Sequence, residues 1–150
     1  MWEEEEGAII LATDKALSMA NSEEAKVSMT DATFQCCPKK ENTGIYQMLI
    51  FHVIRHDAAI PIMHVPMSCK TESLYTKIME WLRQQCPLLK PENMNVDFEL
   101  AIINSAEEVF QLTPKGCDFH YNQAVYRKFR QMGLRPILTR NANFGNFIVV

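Results

Sequence analysis

The sequence has little glycine and proline and no long apolar run. Five glycines and seven prolines in 150 residues exclude collagen-like and low-complexity chains. No apolar run reaches the roughly 20 residues that a membrane-spanning helix needs. The chain begins with Met-Trp and four glutamates, whereas a secretory signal begins with basic residues and continues with an apolar core. We therefore expect no signal peptide, no transmembrane segment and no membrane partner.

The cysteines lack the spacing of a four-cysteine zinc site. None of the five, at positions 36, 37, 69, 86 and 117, forms a Cys-x-x-Cys pair, and without an export signal we expect reduced thiols. Cys117-Asp118-Phe119-His120 is a Cys-x-x-His pair, whose spacing can place two zinc ligands on one side of a turn. No second pair is obvious. The alternative is a small buried thiol followed by a histidine at a helix start.

Acidic residues are missing from the C-terminal part of the chain. Residues 1–31 hold eight acids and two lysines, whereas residues 119–150 hold no Asp or Glu. The same C-terminal stretch contains five basic residues, which are Arg127, Lys128, Arg130, Arg135 and Arg140. Such a basic segment can contact phosphate groups. The alternative is an ordinary solvated helix face.

Composition and length predict one folded domain. Hydrophobic residues make up 47% and charged residues 22%, which is close to the average for globular proteins. A chain of this length fits a single domain. We divide it into an acidic lead-in with a short helix (1–25), a core (26–133) and an irregular tail (134–150).

The first half of the core predicts three strands. Apolar and polar residues alternate over 26–37, and β-branched and aromatic residues are concentrated over 45–55 and 60–67. Short turns separate these segments, which predicts an antiparallel meander. Pro61 and Pro66 cannot donate to a ladder and favour a strand end or a sheet edge.

After residue 70 the apolar period changes from two to 3.6. Helices are predicted over 71–86, 99–110 and 120–132, and short strands over 92–98 and 115–119. A strand that returns through a helix pairs in parallel with its neighbour. The expected fold is α/β, with a mixed sheet that joins the meander to parallel strands through helical crossovers. The ribonuclease H-like fold has this architecture, and its first strand lies centrally beside the fourth.

Two aspartates stand out on these strands. Asp31 lies in the middle of the first strand, and Asp97 lies at the C-terminal end of the fourth. An acid in an apolar strand is unfavourable unless it is paired or bound to a metal. If the two strands are neighbours, the pair can bind Mg²⁺ or Mn²⁺, because hard cations prefer oxygen ligands. The alternative is that each is a turn or edge acid facing water.

Short motifs follow these elements in a fixed order. They are Asp31-Ala32-Thr33-Phe34 with Pro38, Ile45-Tyr46-Gln47-Met48-Leu49, Lys70-Thr71-Glu72-Ser73-Leu74-Tyr75, Asp97-Phe98-Glu99, Gly116-Cys117-Asp118-Phe119-His120 and Tyr126-Arg127-Lys128. Together they resemble the transposase domain of Mutator-like elements, the MULE transposase domain. The resemblance covers roughly residues 8–135.

The resemblance implies a ribonuclease H-like core of the DDE superfamily, a nuclear protein that cuts and joins DNA with Mg²⁺ or Mn²⁺. Asp31 and Asp97 correspond to the first two catalytic and metal-binding acids, and Glu99 is a possible auxiliary ligand. Cys117 and His120 correspond to the family's Cys-x-x-His pair.

The family's third acid, a glutamate, has no counterpart after Asp118. We therefore expect either a C-terminally truncated transposase fragment or a domesticated relative, inactive alone, that binds nucleic acid or protein. An unrelated α/β binding protein is a third alternative. Because strand 45–55 is apolar on both faces, we also expect self-association unless the tail or a missing C-terminal part covers it.

Overall fold

The computed structural model of the chain describes residues 7–33 and 44–133. These residues form two compact units, one ending at Lys115 and the other beginning at Gly116. The elements are β1 (Leu11–Ala12), α1 (Asp14–Ala20), β2 (Val27–Thr33), β3 (Gln47–Arg55), β4 (Ala58–Met67), α2 (Glu72–Gln85), β5 (Asn93–Val96), α3 (Leu100–Phe110), β6 (Lys115–Gly116) and α4 (Asp118–Gln131).

The sheet is mixed, and its strand order is β1-β4-β3-β2-β5-β6. Strand β3 pairs antiparallel with both β2 and β4, as the predicted meander requires. Strand β5 pairs in parallel with the other side of β2. The α/β class, the central position of the first long strand and its parallel pairing with the fourth predicted strand are therefore confirmed.

The β3–β4 hairpin closes through a two-residue loop. Arg55 pairs with Ala58, and the loop residues His56 and Asp57 have φ angles of 49° and 61°. Two successive positive φ angles define the turn whose twist matches that of paired strands. The loop is shorter than the predicted turn, so β4 begins at Ala58 rather than at Ile60.

Both prolines of β4 are accommodated without loss of the ladder. The register with β3 shifts between Phe51 and His52, and Pro61 lies at this irregularity. The carbonyl of Pro66 accepts from the Ile9 amide at 3.0 Å, so the backbone polar side of Pro66 faces away from β3. The prediction of a sheet edge holds in part, because the outer side of β4 pairs with the two-residue β1 and, through the bridge between Ala8 and Met67, with the segment just before it.

One face of the sheet packs against α2 and α3. The side chains of β3 alternate between fully buried and half-buried along the strand. The Phe51 ring lies 6.2 Å from that of Phe110 on α3, and Gln47 contacts Tyr75 on α2. The buried core therefore lies between this face and the helices.

The helix boundaries follow from local signals. The Thr71 hydroxyl accepts from the Leu74 amide at 3.3 Å and so caps the N-terminus of α2. Helix α4 ends just before Gly133, whose φ of 72° is the left-handed conformation that commonly terminates a helix. No helix of the described residues is long and apolar enough to cross a membrane.

Some predictions fall on other parts of the chain. The end of the first predicted strand, the turn that carries Pro38, and the tail over 134–150 lie outside the described residues. The β3 side chains that point away from the helices are half-buried. The expected self-association stays a prediction.

The packing of Phe51 generates a stability test. Phe51 is fully buried, whereas Phe98 is 54% exposed. We expect Phe51→Ala to lower the free energy of unfolding by about 3–5 kcal/mol, because it removes buried area and leaves a cavity. The matched change Phe98→Ala should stay within about 0.5 kcal/mol. Urea titration followed by circular dichroism measures both, and equal losses would contradict this core.

Candidate functional site

Parallel pairing brings the two candidate aspartates toward the same end of the sheet. The ladder between β2 and β5 runs from Val27 with Asn93 to Met29 with Asn95, so partners are 66 positions apart. Asp31 and Asp97 have the same offset and follow the last ladder pair by two residues. Both lie toward the carboxyl ends of their strands, the edge at which open α/β sheets bind ligands.

Asp31 belongs to the sheet face that α2 and α3 do not cover. Burial alternates along β2. Ser28 and Thr30 are buried, whereas Met29 and Asp31 are half-buried. On β3, Asp31 pairs with the half-buried Ile50. Since strand side chains alternate between faces, Asp31 lies on the same face as Ile50.

Asp97 lies in the turn between β5 and α3. Its Oδ1 accepts from the Phe98 amide at 2.7 Å, which fixes the carboxylate beside the strand end. Asn93 and Asn95 are half-buried, and Met94 and Val96 are buried. If this alternation continues for one more residue, Asp97 lies on the same sheet face as Asn93 and Asn95.

Two histidines lie near Asp31 on this face. His52 pairs with Met29 across the β2–β3 ladder, and His64 pairs with Ile50 across β3–β4. Burial lowers the pKa of His52, while the backbone of Met29 and the negative charge of Asp31 partly oppose this effect. The structure places His52 half-buried and His64 exposed.

A polar network connects the motif segments on the helix-covered side. The Gln47 Nε2 donates to the Tyr75 hydroxyl at 2.6 Å, and that hydroxyl donates to Glu99 Oε1 at 3.4 Å. The other carboxylate oxygen of Glu99 accepts from Lys70 Nζ at 2.7 Å. The network therefore joins β3, the start of α2 and the residue that caps α3.

This network is shielded from water and lies near Asp97. Gln47 and Tyr75 are fully buried, and the Lys70 and Glu99 side chains are only 29% and 22% exposed. Burial raises the pKa of Tyr75, and the charges of Glu99 and Asp97 add to the increase. The Tyr75 hydroxyl is therefore a neutral hydrogen-bonding group at any physiological pH.

The predicted Cys-x-x-His pair lies in the second unit. Cys117 is the residue before α4, and His120 lies in its first turn. Both are half-buried. Across residues 7–33 and 44–133, no three side chains of His, Cys, Asp or Glu gather closely enough to hold a metal ion. A zinc site at Cys117 and His120 stays a prediction.

Sequence reasoning missed the contacts of Gln47, Lys70 and Tyr75. All three belong to motifs that were recognised, but only Glu99 was assigned a possible role. The available signal was a glutamine inside an apolar strand, because a buried amide needs polar partners.

Comparison with known proteins identifies no relative. No family model, no curated protein and no solved structure matches the chain significantly.

The buried network generates a mutational test. Tyr75→Phe leaves the buried Gln47 amide without its strongest acceptor and should lower the free energy of unfolding by about 1–3 kcal/mol. Tyr121→Phe is the matched control, because Tyr121 is 58% exposed, and it should change little. The double variant Gln47→Leu/Tyr75→Phe should regain part of the loss, because both polar groups are then absent. Equal losses for the two tyrosines would contradict the network.

The lowered pKa of His52 predicts how stability depends on pH. Its folded-state pKa lies below the unfolded value of about 6.5, so the unfolded chain binds the extra proton more readily. Stability from the neutral imidazole is present above pH 6.5 and is lost as pH falls through the folded pKa. His52→Gln should flatten this part of the stability profile, measured by urea titration from pH 8 to 5. The exposed turn variant His56→Asn should keep it, and an unchanged profile in His52→Gln would refute the assignment.

Proposed function

We propose that the chain belongs to a ribonuclease H-like core related to the Mutator-like DNA transposases, either as a fragment or as a domesticated descendant. In this proposal Asp31 and Asp97 bind a divalent cation at the carboxyl ends of β2 and β5, where DNA phosphodiesters would be cut and joined. The observation that carries the proposal is the parallel β2–β5 register, in which these acids share the offset of the ladder pairs. DNA as partner and a nuclear location are parts of the same proposal.

The donor chemistry of the two aspartates fits Mg²⁺ or Mn²⁺. Magnesium is commonly held by one or two carboxylates, with water and substrate phosphates completing its shell. A cation bound there would polarise a phosphoryl oxygen. Glu99 is a weaker candidate for a third ligand, because its carboxylate already accepts from Lys70 and Tyr75.

The surrounding residues would hold Asp97 in place. Asp97 and Glu99 are separated by one residue, so the ion pair between Glu99 and Lys70 restrains the turn that carries Asp97. Tyr75 and Gln47 anchor the same turn to α2 and β3. Such support matters because a metal ligand works only when its orientation is fixed.

The second candidate is a non-catalytic domain that binds nucleic acid or protein on the same fold. It is favoured by the absence of Asp and Glu from residues 119–150, where the family would place its third acid. A site with two of three acids should bind metal weakly. We therefore expect no DNA strand cleavage by the 150-residue chain in Mg²⁺ or Mn²⁺.

Titration with Mn²⁺ tests the metal site directly. We expect weak binding that broadens the NMR signals of residues around Asp31 and Asp97 and is lost in Asp31→Asn and in Asp97→Asn. Asp57→Asn is the matched control, because Asp57 is exposed in the hairpin loop with a positive φ that asparagine tolerates. Broadening that both site variants leave unchanged would refute the site. Micromolar or tighter binding, abolished by Asp31→Asn, would reveal a third ligand.

A further inference from the structure

Helix α4 has an exposed face whose charges are all positive. Its half-buried side consists of Asn122, Val125, Tyr126 and Phe129, which recur at helical spacing. The opposite, exposed side consists of Tyr121, Ala124, Arg127, Lys128, Arg130 and Gln131. We call these six residues the basic face of α4. The helix's one acid, Asp118, is exposed at its first position and lies about 140° around the helix axis from the centre of this face.

Both arginines of the basic face contact neutral groups. The Arg127 guanidinium donates to Gln123 one turn earlier, and the Arg130 guanidinium lies 6.0 Å from the centre of the Tyr126 ring. The ion pairs found in the described residues are Lys26–Glu92, Arg55–Glu24 and Lys70–Glu99. No carboxylate of the described chain pairs with Arg127, Lys128 or Arg130.

This pattern differs from that of an ordinary solvated helix. Exposed helix faces usually mix both signs, because carboxylates and amines four residues apart stabilise the helix. The helix dipole favours cations in the last turn, which accounts for Lys128 and Arg130. It does not account for a whole exposed face without an acid, in a chain whose net charge is −3.

We propose that the basic face of α4 binds the phosphate backbone of nucleic acid without sequence preference. Clustered Lys and Arg side chains attract the dense negative charge of a duplex and release its condensed counterions. A membrane surface fits less well, because insertion needs a large exposed apolar face. In α4 the residues Val125 and Phe129 are half-buried instead. Binding at this face would not require a metal ion at Asp31 and Asp97.

Salt-dependent binding to a mixed-sequence DNA duplex, followed by fluorescence anisotropy in EDTA, tests the proposal. Three phosphate contacts predict a slope of about −2.7 for log K against log salt concentration. The triple variant Arg127→Gln/Lys128→Gln/Arg130→Gln should bind at least about tenfold more weakly and lose most of that slope. Replacing Arg127 and Arg130 by lysine should retain the slope, since the phosphate interaction depends on charge.

A second triple variant controls for net charge. Lys15, Lys77 and Lys90 are exposed in the first unit, and changing all three to glutamine removes the same charge while leaving the basic face intact. Its slope should equal that of the wild type. The proposal is refuted if both triple variants weaken binding equally, if neither does, or if the chain binds anionic vesicles but not DNA. Because the measurement is made in EDTA, no divalent cation is available to Asp31 and Asp97, so failure of the metal site and failure of this surface are distinguishable.

Discussion

The arrangement depends on one constraint, the parallel pairing of β2 with β5. A parallel neighbour cannot be reached through a tight turn, so the chain must cross the sheet through an intervening element. Helix α2 is that element, and with α3 it covers the sheet face that carries Phe51. The same pairing brings the carboxyl ends of the two strands together, and its register relates Asp31 to Asp97. The pairing of β2 with β5 therefore determines both where the buried core lies and where the two candidate aspartates lie.

The polar network beside Asp97 is unusual for the inside of a small domain. An apolar side chain at Gln47 would avoid burying an amide whose oxygen finds no donor among the described residues. Buried polar groups of this kind are unfavourable unless they are satisfied. What the network provides is a fixed connection between β3, α2 and the turn between β5 and α3. That connection restrains Asp97, so the unfavourable burial is consistent with a role in positioning.

The sequence was sufficient for most elements because each has a strong local period. Alternation identified β2 and β3, and the change to a period of 3.6 identified α2, α3 and α4. The contact between Lys70 and Glu99 was not accessible in this way, because the residues are 29 positions apart and periodicity encodes no pairing between distant segments. The register shift near Pro61 was missed for a related reason, since a bulge depends on the partner strand. The two aspartates were singled out because an acid within a predicted strand, as for Asp31, or at the end of one, as for Asp97, is itself a local signal.

Local charge governs whether this acidic chain can bind a polyanion. At physiological ionic strength charges are screened over about 8 Å, so the net charge of −3 acts weakly on a distant phosphate. Arg127, Lys128 and Arg130 lie within four consecutive positions of α4, a rise of about 4.5 Å along the helix axis. Their fields therefore add within one screening length. The proposed binding of phosphate by a chain of negative net charge therefore depends on the clustering of these three cations on one exposed face.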